Sequence, residues 1–238
     1  MKIIFSPSKK MKMDEDFLTT QNPFFLKEAN ELLEAMKSYS DKERKKIWNV
    51  SDALFQRTNQ MLLETKSMSG KTPALFAYQG LAFQHLSANA LGQKELDYLE
   101  EHLCILSAMY GVLKPMDAVV SYRLEMQAFL PSGSLYSYWK NKLKEYFQQE
   151  EIINVASKEY SDTLLKDYDG KVTHILFGHL EKGKLKTKGT LAKIGRGDLI
   201  YSMTERKIEE VNKLRNSFDH YWYREDLSDE EHIVYLYA

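Results

Sequence analysis

Leu103-Cys104-Ile105-Leu106 is an unbroken apolar run of strand length. A half-exposed strand alternates apolar and polar residues, so a continuous run reads as a strand covered on both faces. Ile3-Ile4-Phe5, stopped by Pro7, and Ile152-Ile153-Asn154-Val155 have the same character. Helical spacing lies between these runs. Asn22-Pro23 reads as the cap and first turn of a helix with Phe25, Ala29, Leu32, Leu33 and Met36 on one face. Ser40-Asp41-Lys42-Glu43 reads as a capping box, Ser51-Asp52 as the start of a third helix, and Ser134 as the cap of a helix facing inward with Leu135, Tyr138, Trp139, Leu143, Tyr146 and Phe147. The short apolar run 74–78 predicts a strand, and segments 81–90 and 93–101 predict helices. Segment 110–117, with Gly111 and Pro115, predicts a loop. Segments 171–177 and 184–194 predict two strands joined at Glu181-Lys182-Gly183, residues 197–215 a helix, and segments 221–224 and 233–237 two aromatic strands. Strands interleaved with helices imply a mixed α/β (α+β) chain. No repeat, low-complexity tract or Pro/Gly/Ser-rich linker divides residues 1–238, which therefore read as one compact unit.

Composition narrows the functional classes. Hydrophobic residues make up 43% and charged residues 28%, a globular balance that excludes wholesale disorder. The single cysteine, Cys104, excludes an intrachain disulfide and a cysteine zinc site, and its apolar surroundings predict a buried thiol. None of the six histidines pairs with another at helical metal spacing, so neither a metal site nor a cofactor is expected. Met1-Lys2-Ile3-Ile4-Phe5-Ser6 offers only three consecutive apolar residues, too few for a signal peptide or a membrane span, and a cytoplasmic protein is expected.

Lys and Arg number 33 against 34 Asp and Glu, which excludes a uniformly basic coat. The charge is segregated, however. Residues 164–196 carry eight cations against three carboxylates, and residues 219–238 carry six carboxylates against Arg224 alone. Lys182, Lys184, Lys186 and Lys188 share one face of any strand there. That stripe suits either a phosphate track or an edge strand guarded against pairing.

Several motif matches fail on context. Ser69-Gly70-Lys71-Thr72 resembles the tail of a P-loop, but Thr65 stands where the earlier glycine is required. Ser6-Pro7-Ser8-Lys9 has the Ser-x-x-Lys spacing of penicillin-recognising enzymes without their companion motifs. Tyr138 and Lys142 have dehydrogenase spacing without a glycine-rich loop after the first strand. Three stretches exceed what a core needs. Ser6 to Lys10 sets hydroxyls and ammonium groups at a strand end, where α/β proteins bind ligands. Ser107 to Asp117, followed by Tyr122-Arg123-Leu124-Glu125, leaves a buried strand. Lys193-Ile194-Gly195-Arg196-Gly197 sets two cations among glycines just before the helix expected from residue 197.

These same stretches carry a family resemblance. Ile4-Phe5-Ser6-Pro7-Ser8-Lys9, the run Leu106 to Asp117 with its Tyr-Gly-Val-Leu-Lys-Pro core, Tyr122-Arg123-Leu124-Glu125-Met126, Leu135-Tyr136-Ser137-Tyr138-Trp139, Asn154 to Tyr160 and Lys193 to Gly197 are similar, nearly end to end, to the YaaA peroxide-stress proteins. The resemblance implies a β core wrapped by helices, a positively charged cleft, DNA binding, and a cellular role in limiting free iron and oxidative DNA damage. Val50 to Asn59 aligns with the family's helical DNA-binding element but lacks a hairpin glycine, so phosphate contact is assigned to the cleft. On this reading Lys9, Lys10, Lys114, Arg123, Lys193 and Arg196 converge beside Ser6 to bind DNA phosphates, non-specifically or by structure, with Tyr110 or Tyr122 available to stack on a base. The alternative is an enzyme for a nucleotide or sugar phosphate in the same cleft. There Lys9 or Lys193 would hold phosphate, Ser6 or Tyr110 would act as nucleophile or proton donor, and Glu125 would be the base.

Overall fold

In the computed structural model, which describes residues 1–14, 16–17 and 20–237, the opening apolar run is a strand with every residue buried, Leu103–Ser107. It is one of eight strands in the main sheet: β1 (Lys2–Phe5), β2 (Leu103–Ser107), β3 (Gly111–Leu113), β4 (Ile152–Asn154), β5 (Val172–Glu181), β6 (Lys184–Lys186), β7 (Tyr221–Tyr223) and β8 (His232–Tyr237). The order across the sheet is β7-β8-β5-β4-β1-β2-β3, with β6 pairing the end of β5. The central strands β8, β5, β4, β1 and β2 are parallel, and β3, β6 and β7 run antiparallel to their neighbours.

Helices α1 (Leu26–Ser38), α2 (Asp41–Trp48), α3 (Asp52–Glu64), α4 (Ala74–Ala77), α5 (Leu81–Leu86), α6 (Gln93–His102), α7 (Leu135–Phe147), α8 (Lys158–Leu165) and α9 (Gly189–Glu205) surround the sheet. Register decides which faces are covered. Ile3, Phe5, Ile105, Ile153, Ile175, Phe177, Ile233 and Tyr235 share one face, and there α5, α6 and α9 pack. Ile4, Cys104, Ile152 and Asn154 lie on the opposite face, which α7 and α8 cover over β2 and β3. No helix among the described residues is long and apolar enough to cross a membrane.

Caps behave as their chemistry requires. Ser40 and Glu43 form the reciprocal capping box, and Ser134 Oγ accepts from Ser137 N at 3.2 Å. Four expectations need correction. Asn22 does not cap α1, because Pro23 closes a turn instead (Leu26 N to Pro23 O, 3.1 Å) and the helix starts at Leu26. Segment 74–78 is a helical turn, Ala74–Ala77, between the two-residue strands Thr72–Pro73 and Tyr78–Gln79, since a short apolar run has no resolvable period. Segment 110–117 is not all loop, because Gly111–Leu113 folds back as β3 on β2. The strand expected to reach residue 194 ends at Lys186, and α9 takes up Lys193 to Gly197. The glycines that suggested a loop there permit close packing. A Cβ on Gly195 would meet the Phe177 ring at 2.6 Å, and one on Gly197 the Ala82 carbonyl oxygen at 2.2 Å.

Candidate functional site

Chain direction places three hydroxyls together. β1, β2 and β4 are parallel, so their carboxyl ends share one edge of the sheet. There β1 delivers Ser6, β2 ends at Ser107, and β4 leads to Ser157 at the start of α8. The connection from β1 goes to β2 on one side, and that from β4 goes to β5 on the other, so the crevice between β1 and β4 is the switch point where open α/β sheets hold ligands. Ser6 spans that crevice. Its Oγ accepts from Ser157 N at 2.7 Å and donates to Ser157 Oγ at 3.1 Å.

Beside it lies a narrow notch, about 10 Å³ in cavity volume, lined by Pro7, Ser8, Lys9, Tyr122, Arg123, Leu124, Glu125 and Tyr160. Lys9 Nζ lies 2.7 Å from Glu125 Oε2, and an Arg123 terminal nitrogen 3.6 Å from Oε1. Two cations thus share one carboxylate. Arg123 Nε and Glu159 Oε1 are buried without a hydrogen-bond partner. Burial, and then the charge of Glu125, hold the Glu159 carboxyl above its usual range.

A hydroxyl relay backs the notch. Ser107 Oγ accepts from Met109 N (3.2 Å) and Tyr110 N (3.0 Å), which occupies its lone pairs. It must therefore donate to Tyr122 Oη at 2.7 Å, which leaves Tyr122 to donate to Tyr78 Oη at 2.8 Å. Burial pushes both phenols above the usual tyrosine range.

Arg123 also borders a second cavity, between α1, α3 and segment 121–123, lined by Met36, Thr58, Met61, Thr65 and Met109 among others. The notch and α3 are thus neighbours. α2 and α3 form a helical hairpin, and Asn49 between them adopts the left-handed conformation (φ 46°, ψ 55°) with its N–H on Lys45 O. Segment 50–59 has no glycine, and it is Asn49, just before it, that takes the left-handed conformation glycine adopts elsewhere. Lys42, Lys46 and Arg57 are exposed on this hairpin, with no carboxylate partner among the described residues. Ser51 makes no side-chain cap, so the first N–H groups of α3 are uncapped.

The sequence-derived residues separate into groups. Ser6, Lys9, Tyr122, Arg123 and Glu125 come together. Lys10, exposed in the short strand Lys10–Met11 paired to Tyr78–Gln79, is close by in the chain. Tyr110 is not available to stack or donate, because it is fully buried, with its hydroxyl between Met68 O (2.9 Å) and Val120 N (3.0 Å). Lys114 does not converge either. The β3 hairpin carries it back toward the opposite end of β2, where it lies 3.9 Å from Glu100. Lys193 and Arg196 sit within α9 rather than ahead of a helix. Arg196 is half-buried near Tyr237, and no contact joins the two to the notch among the described residues. Ser107, Ser157 and Glu159 were missed as site members. The available signal was a small polar residue directly after each apolar strand.

The Lys114 end has a property of its own. Asp117 is buried, its Oδ2 accepts from Lys114 N at 2.8 Å, and burial with Glu100 nearby pushes its carboxyl up to about 7. The folded state then holds a proton that the unfolded state releases near pH 4, so stability falls as pH rises from about 4 to about 7 and levels off above. Asp117→Asn should flatten that slope and stabilise the protein at pH 8 by about 2–4 kcal/mol, read from urea unfolding at pH 5 and pH 8. An unchanged slope would show that Asp117 is ionised in the fold.

Comparison with known proteins finds sequence similarity along nearly the whole chain. A family model described as "Peroxide stress protein YaaA" matches residues 1–227. The chain is similar to a UPF0246 protein of Lachnoclostridium phytofermentans, 39% identical over 252 residues covering 99% of this chain and 96% of that one. It is 40% identical over 245 residues to a UPF0246 protein of Agathobacter rectalis, covering 99% and 98%. It is 38% identical over 246 residues to one from Pediococcus pentosaceus, with the same coverage.

Proposed function

Because the chain belongs to the YaaA peroxide-stress family, we propose that it acts in the cytoplasm during peroxide stress by binding DNA through its phosphates, and so limits free iron and oxidative DNA damage. The α2–α3 hairpin supplies Lys42, Lys46, Arg57 and the uncapped N–H groups of α3, and the notch supplies Lys9 and Arg123. One observation supports the reading. Arg123 lines both the notch that holds Lys9 and the apolar cavity that α3 borders, so the notch and the α2–α3 hairpin are neighbours. The notch has a cavity volume of only about 10 Å³, room for about one water and far below the roughly 300–1,000 Å³ of pockets that enclose a small ligand, which favours one group of a larger polyanion lying across it.

Fluorescence titration of labelled DNA at several salt concentrations tests this. Five phosphate contacts predict a log–log salt slope of about −4, and Lys42→Ala, Lys46→Ala and Arg123→Ala should each reduce it by about 0.7–0.9. A salt-independent affinity would overturn the proposal. The second reading, an enzyme for a small phosphate ester, is favoured by the Ser107–Tyr122–Tyr78 relay, which could orient a proton donor. Against it, no histidine or carboxylate contacts Ser6 among the described residues, and Glu125 is tied to two cations.

A further inference from the structure

Four of the ten methionines line one small cavity. Met36 comes from α1, Met61 from α3, Met68 from the segment after α3, and Met109 from the turn between β2 and β3. They surround a space of about 10 Å³, room for about one water. Met36, Met68 and Met109 are fully buried. Met61 is only half-buried, and it also borders a shallow depression on the outer side of α3, beside Arg57, Gln60 and Glu64. It therefore forms part of the wall between solvent and cavity.

The same cavity is lined by two side chains whose N–H groups the fold leaves unpaired. The Trp48 indole Nε1–H and the Arg123 Nε–H are buried, and neither has an acceptor on the protein among the described residues. Trp48 is the more enclosed, at 6% exposure. Buried donors in native folds are nearly always paired, and an unpaired one is costly. Thioether sulfur is a weak acceptor and does not meet that need. A sulfoxide carries a strongly polar oxygen on the same sulfur. Among the sulfurs, the thioethers are the candidates for oxidation. The single thiol, Cys104, is buried in β2, and burial pushes it up to about 12, so it supplies no reactive thiolate.

We propose that Met61 is a site of oxidation by hydroperoxides, and that its sulfoxide oxygen takes the water-sized space and accepts from the Trp48 indole N–H. A sulfur lone pair attacks one peroxide oxygen, and the S–O bond forms as the O–O bond breaks. The leaving oxygen takes the proton of the attacked one. The thioether is oxidised by two electrons, and the peroxide is reduced to water, or to an alcohol where the hydroperoxide is organic. A sulfoxide oxygen formed against an ordinary apolar wall is buried without a partner and weakens the fold. Here it meets a donor that lacked an acceptor, so the fold should tolerate it. Neither step requires DNA binding.

Hydrogen peroxide treatment of the full chain, followed by peptide mass mapping and nuclear magnetic resonance of isotope-labelled protein, tests this. Met61 should gain one oxygen, with Met36, Met68 and Met109 oxidised at least about tenfold more slowly. The protein has three indole N–H signals. That of Trp48, identified by its loss in Trp48→Phe, should move downfield on oxidation and stay in place in Met61→Leu treated alike. Urea midpoints give the second readout, with Met61→Leu subtracting the effect of the other methionines. Oxidation of Met61 should leave the parent's midpoint unchanged or raised, and should lower that of Trp48→Phe. If Trp48→Phe does not fold, the comparison of indole signals between the parent and Met61→Leu still decides. A Met61 that resists peroxide in the folded chain would overturn the proposal. So would indole signals that ignore its oxidation, or a midpoint that falls as far in the parent as in Trp48→Phe.

Discussion

Gly111→Ala is expected to destabilise the protein by about 3 kcal/mol or more, from two separate causes. Gly111 opens β3 at φ +69°, a region that costs an L-residue roughly 1–2 kcal/mol. Its added Cβ would also lie 2.6 Å from the Trp139 ring and 3.1 Å from Phe25. Trp139 cannot yield, because it is fully buried and its Nε1–H donates to Ala108 O at 2.9 Å. Overpacking of this kind costs a further ~1–3 kcal/mol. Gly183 is the internal control, having φ +74° with nothing within 4 Å, so Gly183→Ala should show only the backbone part. Urea midpoints of the two variants make the comparison. Equal losses would refute the packing argument, and with it the account of how β3 is held against α7.

Glu125→Gln has the largest expected effect on function. Glu125 is the only carboxylate that Lys9 and Arg123 contact among the described residues, and its charge also helps to keep Glu159 protonated to a higher pH. Removing it raises the local charge by one and releases both cations. If DNA phosphates meet the notch, affinity at low salt should rise about tenfold and the salt slope should steepen by about 0.7–0.9. Stability should fall by no more than about 1 kcal/mol, since Lys9 is exposed and only Arg123 is largely sheltered. A drop in affinity would instead mean that Glu125 itself contacts the ligand, as the small-molecule reading supposes.

Both experiments address parts of the molecule that were unequally legible beforehand. The apolar runs at Ile3-Ile4-Phe5, Leu103 to Leu106 and Ile152 to Val155 announced buried strands because burial on both faces forbids polar alternation. The Ser40–Glu43 box and the Ser134 cap were legible because capping is settled within four residues. Segment 189–197 was misread. Its glycines answer to Phe177 and Ala82, partners distant in the chain, and nothing local distinguishes a packing glycine from a breaking one. Asn49 was overlooked as a turn residue for a related reason, since an asparagine enters the left-handed region only when the flanking helices demand it.

Local chemistry therefore settled the buried strands, the capped helix starts and which side chains are cationic. Where those cations stand was a matter of topology. Parallel pairing of β1, β2 and β4 brings Ser6, Ser107 and Ser157 to one edge, while the antiparallel return of β3 carries Lys114 away to Glu100. Burial of Tyr110 and the sharing of Glu125 by Lys9 and Arg123 depend on contacts between segments far apart in the chain. The free energy of such contacts is set by which surfaces meet, and a linear pattern carries that information only through the fold it produces.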